Sequence, residues 1–344
     1  MPVNAGLAHL SNGLLLTAVV IYAVAMLAFA CDFAFGKKRA PAVARARVRE
    51  LVSAKASTGA ADSAAAGGPV VEDAPAADAA EAVQRAGRGP VGFWVTTAVV
   101  LTCVGLALHS AGVLTRGLAV HRLPWGDMYE FVTALTCVAV AFFLGAMVRY
   151  RAYYMGLFVM ASVVLVLGLA ETVIYTPAGE LPPALQSYWL AIHVTAMTLA
   201  TGIFFVAAVT GVTYLVVDRH TRRVAAGRPA GADGILRRLP GPAELDRLAY
   251  RTIVFGFPVW TFGVMAGAIW ADYAWGSYWS WDPTETWAFI TWVAYACFLH
   301  ARATAGWRGR RAAVIQLAAF CCLLFNVLVV SLIIPGQHSY AGLH

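Results

Sequence analysis

Trp270-Ala-Asp-Tyr-Ala-Trp275-Gly-Ser-Tyr-Trp279-Ser-Trp281-Asp-Pro-Thr-Glu285-Thr-Trp287-Ala-Phe-Ile-Thr-Trp292 joins two apolar runs, Thr252–Ala271 and Thr286–Thr304. Each run is near the ~20 residues that a membrane helix needs, so the stretch reads as the connection between two spans. It holds six of the eleven tryptophans in the chain. Tryptophan offers a large flat apolar face and one N–H donor, which suits either a planar, partly polar ligand or the membrane–water interface. An interfacial belt is served by one or two tryptophans per helix end, whereas here Gly276, Asp282, Pro283 and Glu285 shape a loop around many. The ligand platform is therefore favoured over the belt. Asp282 and Glu285 could orient Trp N–H groups, cap the following helix at its positive end or contact polar groups of a ligand, with capping expected of at least one.

Composition agrees with the spans. The 344 residues are 60% hydrophobic and 12% charged, too little polar surface for an ordinary soluble domain. The expected fold class is an all-α polytopic membrane protein. The six cysteines, Cys31, Cys103, Cys137, Cys297, Cys321 and Cys322, all lie in apolar runs, and no Cys-x-x-Cys occurs. They read as small hydrophobes, which argues against a thiol oxidoreductase and against a c-type cytochrome.

Moving outward from the tryptophans, further apolar runs occur at Leu10–Phe33, Val91–Val113, Tyr129–Val148, Tyr153–Thr172, Tyr188–Val217 and Ala312–Ile334. That makes about eight transmembrane helices with the N- and C-termini outside. Of the 25 Lys and Arg, only Arg116 and Arg122 then fall on the outer side, so the excess of basic residues inside orients the chain. The net charge of +7 is in this sense a topology signal, and no nucleic-acid partner needs invoking. Lys37-Lys38-Arg39 follows the first run, the reverse of a signal peptide's order, so that helix is expected to be retained. The expected organisation is an N-terminal transmembrane helix at 1–36, a disordered cytoplasmic linker at 37–90 and a seven-helix membrane domain at 91–344, its tryptophan-rich loop at 270–292 facing outward. The linker is rich in Ala, Gly and Pro and has few large apolar residues.

Three histidines occupy telling places. His193 lies one turn below Trp189, about 6 Å along a helix axis, near the outer surface. His338, in Pro-Gly-Gln-His-Ser-Tyr, follows the last span on the same side. Neutral imidazole is a good iron ligand, so the pair could supply both axial positions of a haem held by the aromatic faces. The alternative is that they are simply solvated or hydrogen-bonded surface residues. His300, fifteen residues after Glu285, lies about 22 Å deeper, toward the cytoplasmic side. An ionisable residue within a span is a functional candidate, but His300 could equally bond a carbonyl near the inner headgroups. His109 and His121 are weaker candidates, and His9, His220 and His344 read as solvated.

Trp-Gly-Ser-Tyr-Trp-Ser-Trp-Asp-Pro-Thr-Glu-Thr-Trp, starting at Trp275, resembles the WWD signature of haem-handling proteins. Its Trp-Asp-Pro-x-Glu-Thr-Trp ending is similar to the CcsA branch (also ResC, or CcsB in some bacteria) of system II cytochrome c biogenesis. Leu185-Gln-Ser-Tyr-Trp-Leu-Ala-Ile-His193, Leu299-His-Ala-Arg302 and Gly336-Gln-His-Ser-Tyr340 resemble that family's other histidine-bearing stretches in the same order, from about Pro124 onward. Thr284 departs from the lysine that the branch often carries. The resemblance implies haem b as the bound group, with His193 and His338 as outer axial ligands. It implies that Trp270, Trp275, Trp279, Trp281, Asp282 and Trp287 form the platform, and that His300 belongs to a site within the membrane. It also implies a CcsB/ResB-type membrane subunit, an apocytochrome c carrying Cys-x-x-Cys-His and a thiol-reducing thioredoxin-like protein as partners, and a multi-pass location in the plasma membrane with the haem site on the extracytoplasmic face. The expected role is to present haem and support its covalent attachment, with no side chain required as a general acid or base. The alternative is a haem exporter whose cargo is ligated elsewhere. A b-type electron carrier is disfavoured by the loop position of His338.

Overall fold

The computed structural model describes residues 3–35, 92–150, 152–179, 186–227, 236, 239–304 and 306–338, and these are all-helical. Helix α1 spans Ala5–Phe35, α2 Phe93–Ala119 and α3 Met128–Tyr150. Helix α4, Gly156–Leu169, is entered by a 3₁₀ turn at Tyr153–Met155 and left by a π-helical turn at Ala170–Ile174. Then follow α5 at Tyr188–Ala225, α6 at Pro242–Trp275, α7 at Pro283–Ala303 and α8 at Arg310–Phe325. Helix α8 continues through a π-helical turn at Asn326–Val330 into a short helix at Ser331–Ile333. Seven of these spans are long and apolar enough to cross a membrane. The eighth, α7, has 21 residues and packs against both α6 and α8, with its charged groups at its two ends. The chain is a multi-pass membrane protein. The segment expected as a linker, 37–90, lies outside the described residues, as does His344.

Helices α1 and α2 form an antiparallel pair. Asn4 N–H donates to Ala119 O at 2.9 Å, and Ser11 Oγ–H donates to Gly112 O at 2.7 Å. The buried positions include Ser11, Leu15, Ala18, Tyr22, Ala25 and Phe29 on α1, and Val95, Ala98, Thr102, Gly105, His109 and Gly112 on α2. Both series advance alternately by three and four, the period of a coiled coil. Large side chains of α1 rest on small residues of α2. A Cβ added at Gly105 would lie 2.6 Å from the Tyr22 ring, and one at Gly112 2.8 Å from Leu15. Lipid tails are as apolar as leucine, so close contact of this kind, rather than escape from water, holds membrane helices together.

The second half repeats the device. Helices α5 and α6 run antiparallel, with Phe204 against Gly256, Met197 against Gly263 and His193 against Gly267. Helix α5 is the most enclosed span, with 72% of its apolar window buried, because α3, α6 and α8 all pack on it. A residue on its inner face is therefore held rigidly. That is where His193 sits.

Arg116, expected on the outer side beyond the Val91–Val113 run, does not lie in a loop. Instead α2 runs on to Ala119, and Arg116 is 2% exposed, its Nε donating to Glu130 Oε1 at 3.1 Å. Arg122 donates to the other oxygen of Glu130 at 2.7 Å. A charge at this depth is costly alone, so the two outer-side arginines are paired, and they pin the connection between α2 and α3.

Candidate functional site

The tryptophan-rich stretch is mostly helix. Trp270 and Trp275 lie on the last turns of α6, and Trp287 and Trp292 lie on α7, so that only 276–282 is loop. Gly276 ends α6 in the left-handed region, with φ 74°, a conformation that glycine adopts without steric cost. Asp282 then starts α7 with a capping box. Its Oδ1 accepts from Thr284 N–H at 3.0 Å, while Glu285 Oε2 accepts from Asp282 N–H at 3.2 Å. Both acidic residues therefore cap the helix, with Pro283 at its first position.

A cavity of about 90 Å³ opens beside this turn, and His193, Trp270, Trp275, Trp279, Asn326 and His338 are on its wall. Each imidazole is oriented by its Nδ1. His193 Nδ1 lies 2.8 Å from Gly263 O. A carbonyl can only accept, so Nδ1 carries the proton and the lone pair is on Nε2. His338 Nδ1 lies 2.9 Å from Asp282 Oδ1 in the same relation, now to a carboxylate, which fixes the tautomer and the orientation of the ring. The His193 ring stacks on Trp270 with centroids 5.9 Å apart and 15° between planes. His338 meets Trp270 edge-on at 6.0 Å and Trp275 at 5.1 Å.

Asp282 thus joins the start of α7 to the tail. Its Oδ2 also accepts from Gln337 N–H at 2.7 Å, and Ser280 Oγ–H donates to Gln337 Oε1 at 2.7 Å. Partial burial works to raise the Asp282 carboxyl, but hydrogen bonds from His338, Gln337 and Thr284 outweigh it and hold the group below its ordinary value.

The structure brings together His193, His338, Trp270, Trp275 and Trp279, with Asp282 directly behind His338. It separates three others. Trp281 is 67% exposed and touches Trp279 edge-on, at the rim. Trp287 packs on Phe325 of α8 with centroids 4.3 Å apart, outside the cavity lining. His300 is exposed on the last turn of α7, two residues before Arg302, whose guanidinium makes a two-point ion pair with Asp246 at 2.7 and 3.0 Å. His109 is fully buried against Tyr22 in the α1–α2 seam, a packing role, and His121 lies in the turn after α2 with φ 52°.

Sequence reasoning missed Gly263, Gly267 and Asn326. Gly263-Val-Met-Ala-Gly267 is a small-xxx-small pattern that could have shown where α6 meets a neighbour closely. A Cβ at Gly267 would lie 2.5 Å from His193 Nδ1, so the glycine makes room for the imidazole that Gly263 then anchors. Asn326 is an amide inside an apolar span, itself a signal. Its Nδ2 donates to Thr284 O at 3.2 Å, and its buried Oδ1 has no partner among the described residues. It begins the π-helical turn, a feature often found at functional sites.

Residues 125–338, more than half of the chain and all of this cavity, match the family model described as cytochrome C assembly protein. A protein of Chlamydomonas reinhardtii called cytochrome c biogenesis protein CcsA is 42% identical over 163 residues, 47% of this chain and 43% of that protein. Proteins of the same name from Gloeobacter violaceus and Parasynechococcus marenigrum are 34% and 32% identical, over 69% and 73% of this chain and 84% and 90% of their own lengths. Helices α1 and α2 precede the matched region.

Proposed function

The chain belongs to the cytochrome c assembly protein family and acts in cytochrome c biogenesis, and from that premise we propose that it carries haem b between His193 and His338 and presents it for covalent attachment. The observation that carries this reading is the pair of Nδ1 hydrogen bonds, from His193 to Gly263 O and from His338 to Asp282 Oδ1. Both imidazoles keep their lone pair on Nε2 at one aromatic-walled cavity, the form in which histidine ligates iron. The donor set fits haem, while the volume of about 90 Å³ is well below the roughly 300–1,000 Å³ of ligand pockets. The loop at 276–282 and the tail that bears His338 must therefore part to admit a porphyrin. His193 stays fixed on α5 and His338 moves with the tail, which suits one permanent and one exchangeable ligand.

An apocytochrome c then offers Cys-x-x-Cys-His. Each thiol S–H adds across one haem vinyl group, the sulfur bonding to one carbon and the hydrogen to the other, so no oxidant or leaving group is needed. The histidine of the motif takes the place of His338 as product leaves. This chain contributes positioning and axial ligation, and the cofactor contributes the reactive groups. Residues 91–344 form the haem-handling unit in this reading, 1–36 an accessory helix and 37–90 a cytoplasmic linker. In this reading the chain lies in the plasma membrane, and the distribution of Lys and Arg supports a cavity that faces the extracytoplasmic side. His300, exposed at the opposite end of α7, is offered to a CcsB/ResB-type subunit for a second haem site, and a thioredoxin-like protein keeps the cysteines of the apocytochrome reduced.

The test is co-expression of the chain and its partner subunit with an apocytochrome, followed by visible spectra of the purified complex for wild type, His193→Ala and His338→Ala. Loss of the bis-histidine spectrum in each variant, with recovery on adding imidazole, is expected. Unchanged haem and spectrum in both would sink the ligand assignment. Haem that is bound and exported without thioether bonds would leave only delivery.

A further inference from the structure

The end of the bundle opposite the histidine cavity has features that haem handling does not use. The C-terminal turns of α5 and the first turns of α8 enclose two adjoining grooves. One, of about 500 Å³, is walled by Asp218, Arg219, Arg222, Arg223 and Arg310. The other, of about 870 Å³, is walled by Arg222, Trp307, Arg308, Arg310 and Arg311. Both volumes lie in the range of ligand sites. Among the described lining residues, six arginines thus face one acid, Asp218, which is already spent on Arg222 Nε at 2.9 Å. The linings also hold apolar residues, Leu215 in the first groove, Ile315 in the second and Val314 in both, and Val314 is 53% exposed.

A second observation points to an anion. Helix α8 begins at Arg310-Arg311 with no acidic residue in its own first turn, and the carboxylate that reaches its N-cap, Asp246, which accepts from Gly309 N–H at 3.2 Å, is already held by Arg302 at 2.7 and 3.0 Å. A helix N-terminus carries partial positive charge and favours acidic neighbours, so Arg308, Arg310 and Arg311 stand at the unfavourable end of the dipole. Phosphate oxygens bound there would meet the helix N–H groups and the guanidinium forks together.

We propose that these grooves form a site for an anionic phospholipid with two phosphates, of the cardiolipin type. The grooves share Arg222 and Arg310, and each adds arginines of its own, Arg219 and Arg223 on one side and Arg308 and Arg311 on the other. One phosphate sits in each groove, and the acyl chains run down over Leu215, Val314 and Ile315. Basic pockets between membrane helices at headgroup depth recognise such lipids. Haem carboxylates fit the site less well, since among the described residues no histidine, methionine or cysteine lines either groove to hold the iron. The proposal is independent of the ligand roles of His193 and His338.

The purified full-length chain, stripped of lipid in detergent, is titrated with a cardiolipin, phosphatidylglycerol, phosphatidylcholine, inorganic phosphate and haem. Lipid retention is read by native mass spectrometry, and unfolding by tryptophan fluorescence. The cardiolipin is expected to be retained most tightly and to raise the unfolding midpoint. Arg222→Gln combined with Arg310→Gln should weaken retention by about tenfold or more, while Arg149→Gln, at another connection on the same side, should not. Equal retention of phosphatidylcholine, displacement of the lipid by inorganic phosphate or haem, or full retention by the double variant would each overturn the proposal. Should the double variant fail to fold, the wild-type order of lipids still decides.

Discussion

Asp282 accepts three hydrogen bonds that tie together the start of α7, the tail and the imidazole of His338. Replacing it with Asn keeps a capping side chain, so the fold should survive. The charge behind His338 is lost, and loss of such a partner typically costs 10–100-fold in metal affinity, so haem titration of purified Asp282→Asn should show binding weaker by roughly that factor. Wild-type affinity would mean that the carboxylate only caps the helix. The same residue sets a pH limit. Because its folded pKa is depressed, the stability it contributes is present above the ordinary carboxylate value of about 4 and is lost as pH falls through the folded pKa. The emission of Trp275, which touches His338, should therefore change below about pH 4 as the tail detaches, and that step should be missing in Asp282→Asn. Gly267→Ala tests the other imidazole, that of His193. Its new methyl group would crowd His193 Nδ1 away from Gly263 O, so on the proposed ligation the bis-histidine spectrum should weaken while helicity by circular dichroism holds. An unaltered spectrum would show that the imidazole can shift without penalty.

Helix pairing explains how these side chains are held, and it was only partly legible. Length and hydropathy located every span, because crossing a hydrocarbon layer of about 30 Å demands ~20 apolar residues whatever the neighbours are. Which helices touch was not legible, since all of them are apolar all round and lipid is as good a solvent as a neighbouring helix. The small residues were the available clue. Gly105 and Gly112 on α2 and Gly256, Gly263 and Gly267 on α6 each accept a large side chain of the facing helix. Gly105→Leu should therefore separate α1 from α2 and lower the unfolding midpoint in detergent, with overpacking of this kind costing about 1–3 kcal/mol. Gly145→Leu, at a position with nothing within 4 Å, should leave the midpoint near that of wild type. Equal midpoints for the two variants would remove the seam as the reason α1 is docked.

At the scale of the whole molecule, alternate helices bring the histidine cavity to one end and the arginine grooves to the other. With the native cysteines replaced by alanine, Ser277→Cys in intact cells should react with a membrane-impermeant maleimide, and Arg308→Cys should react only after permeabilisation. The reverse pattern would invert the topology and exclude an extracytoplasmic cavity. The sequence by itself determined the membrane class, the number of spans and the residues most worth watching, because hydropathy, the one-sided distribution of Lys and Arg and the tryptophan cluster are local or summed properties of the chain. Only the tertiary structure decided how those residues divide. Trp287 and Trp270 look alike in sequence, yet one packs on Phe325 and the other against both imidazoles. The proton on each imidazole depends on a partner 70 or 56 residues away, Gly263 for His193 and Asp282 for His338. No local pattern encodes a hydrogen bond between distant segments, so the tryptophan-rich stretch names a site whose imidazoles are aimed by α5, α6 and the tail.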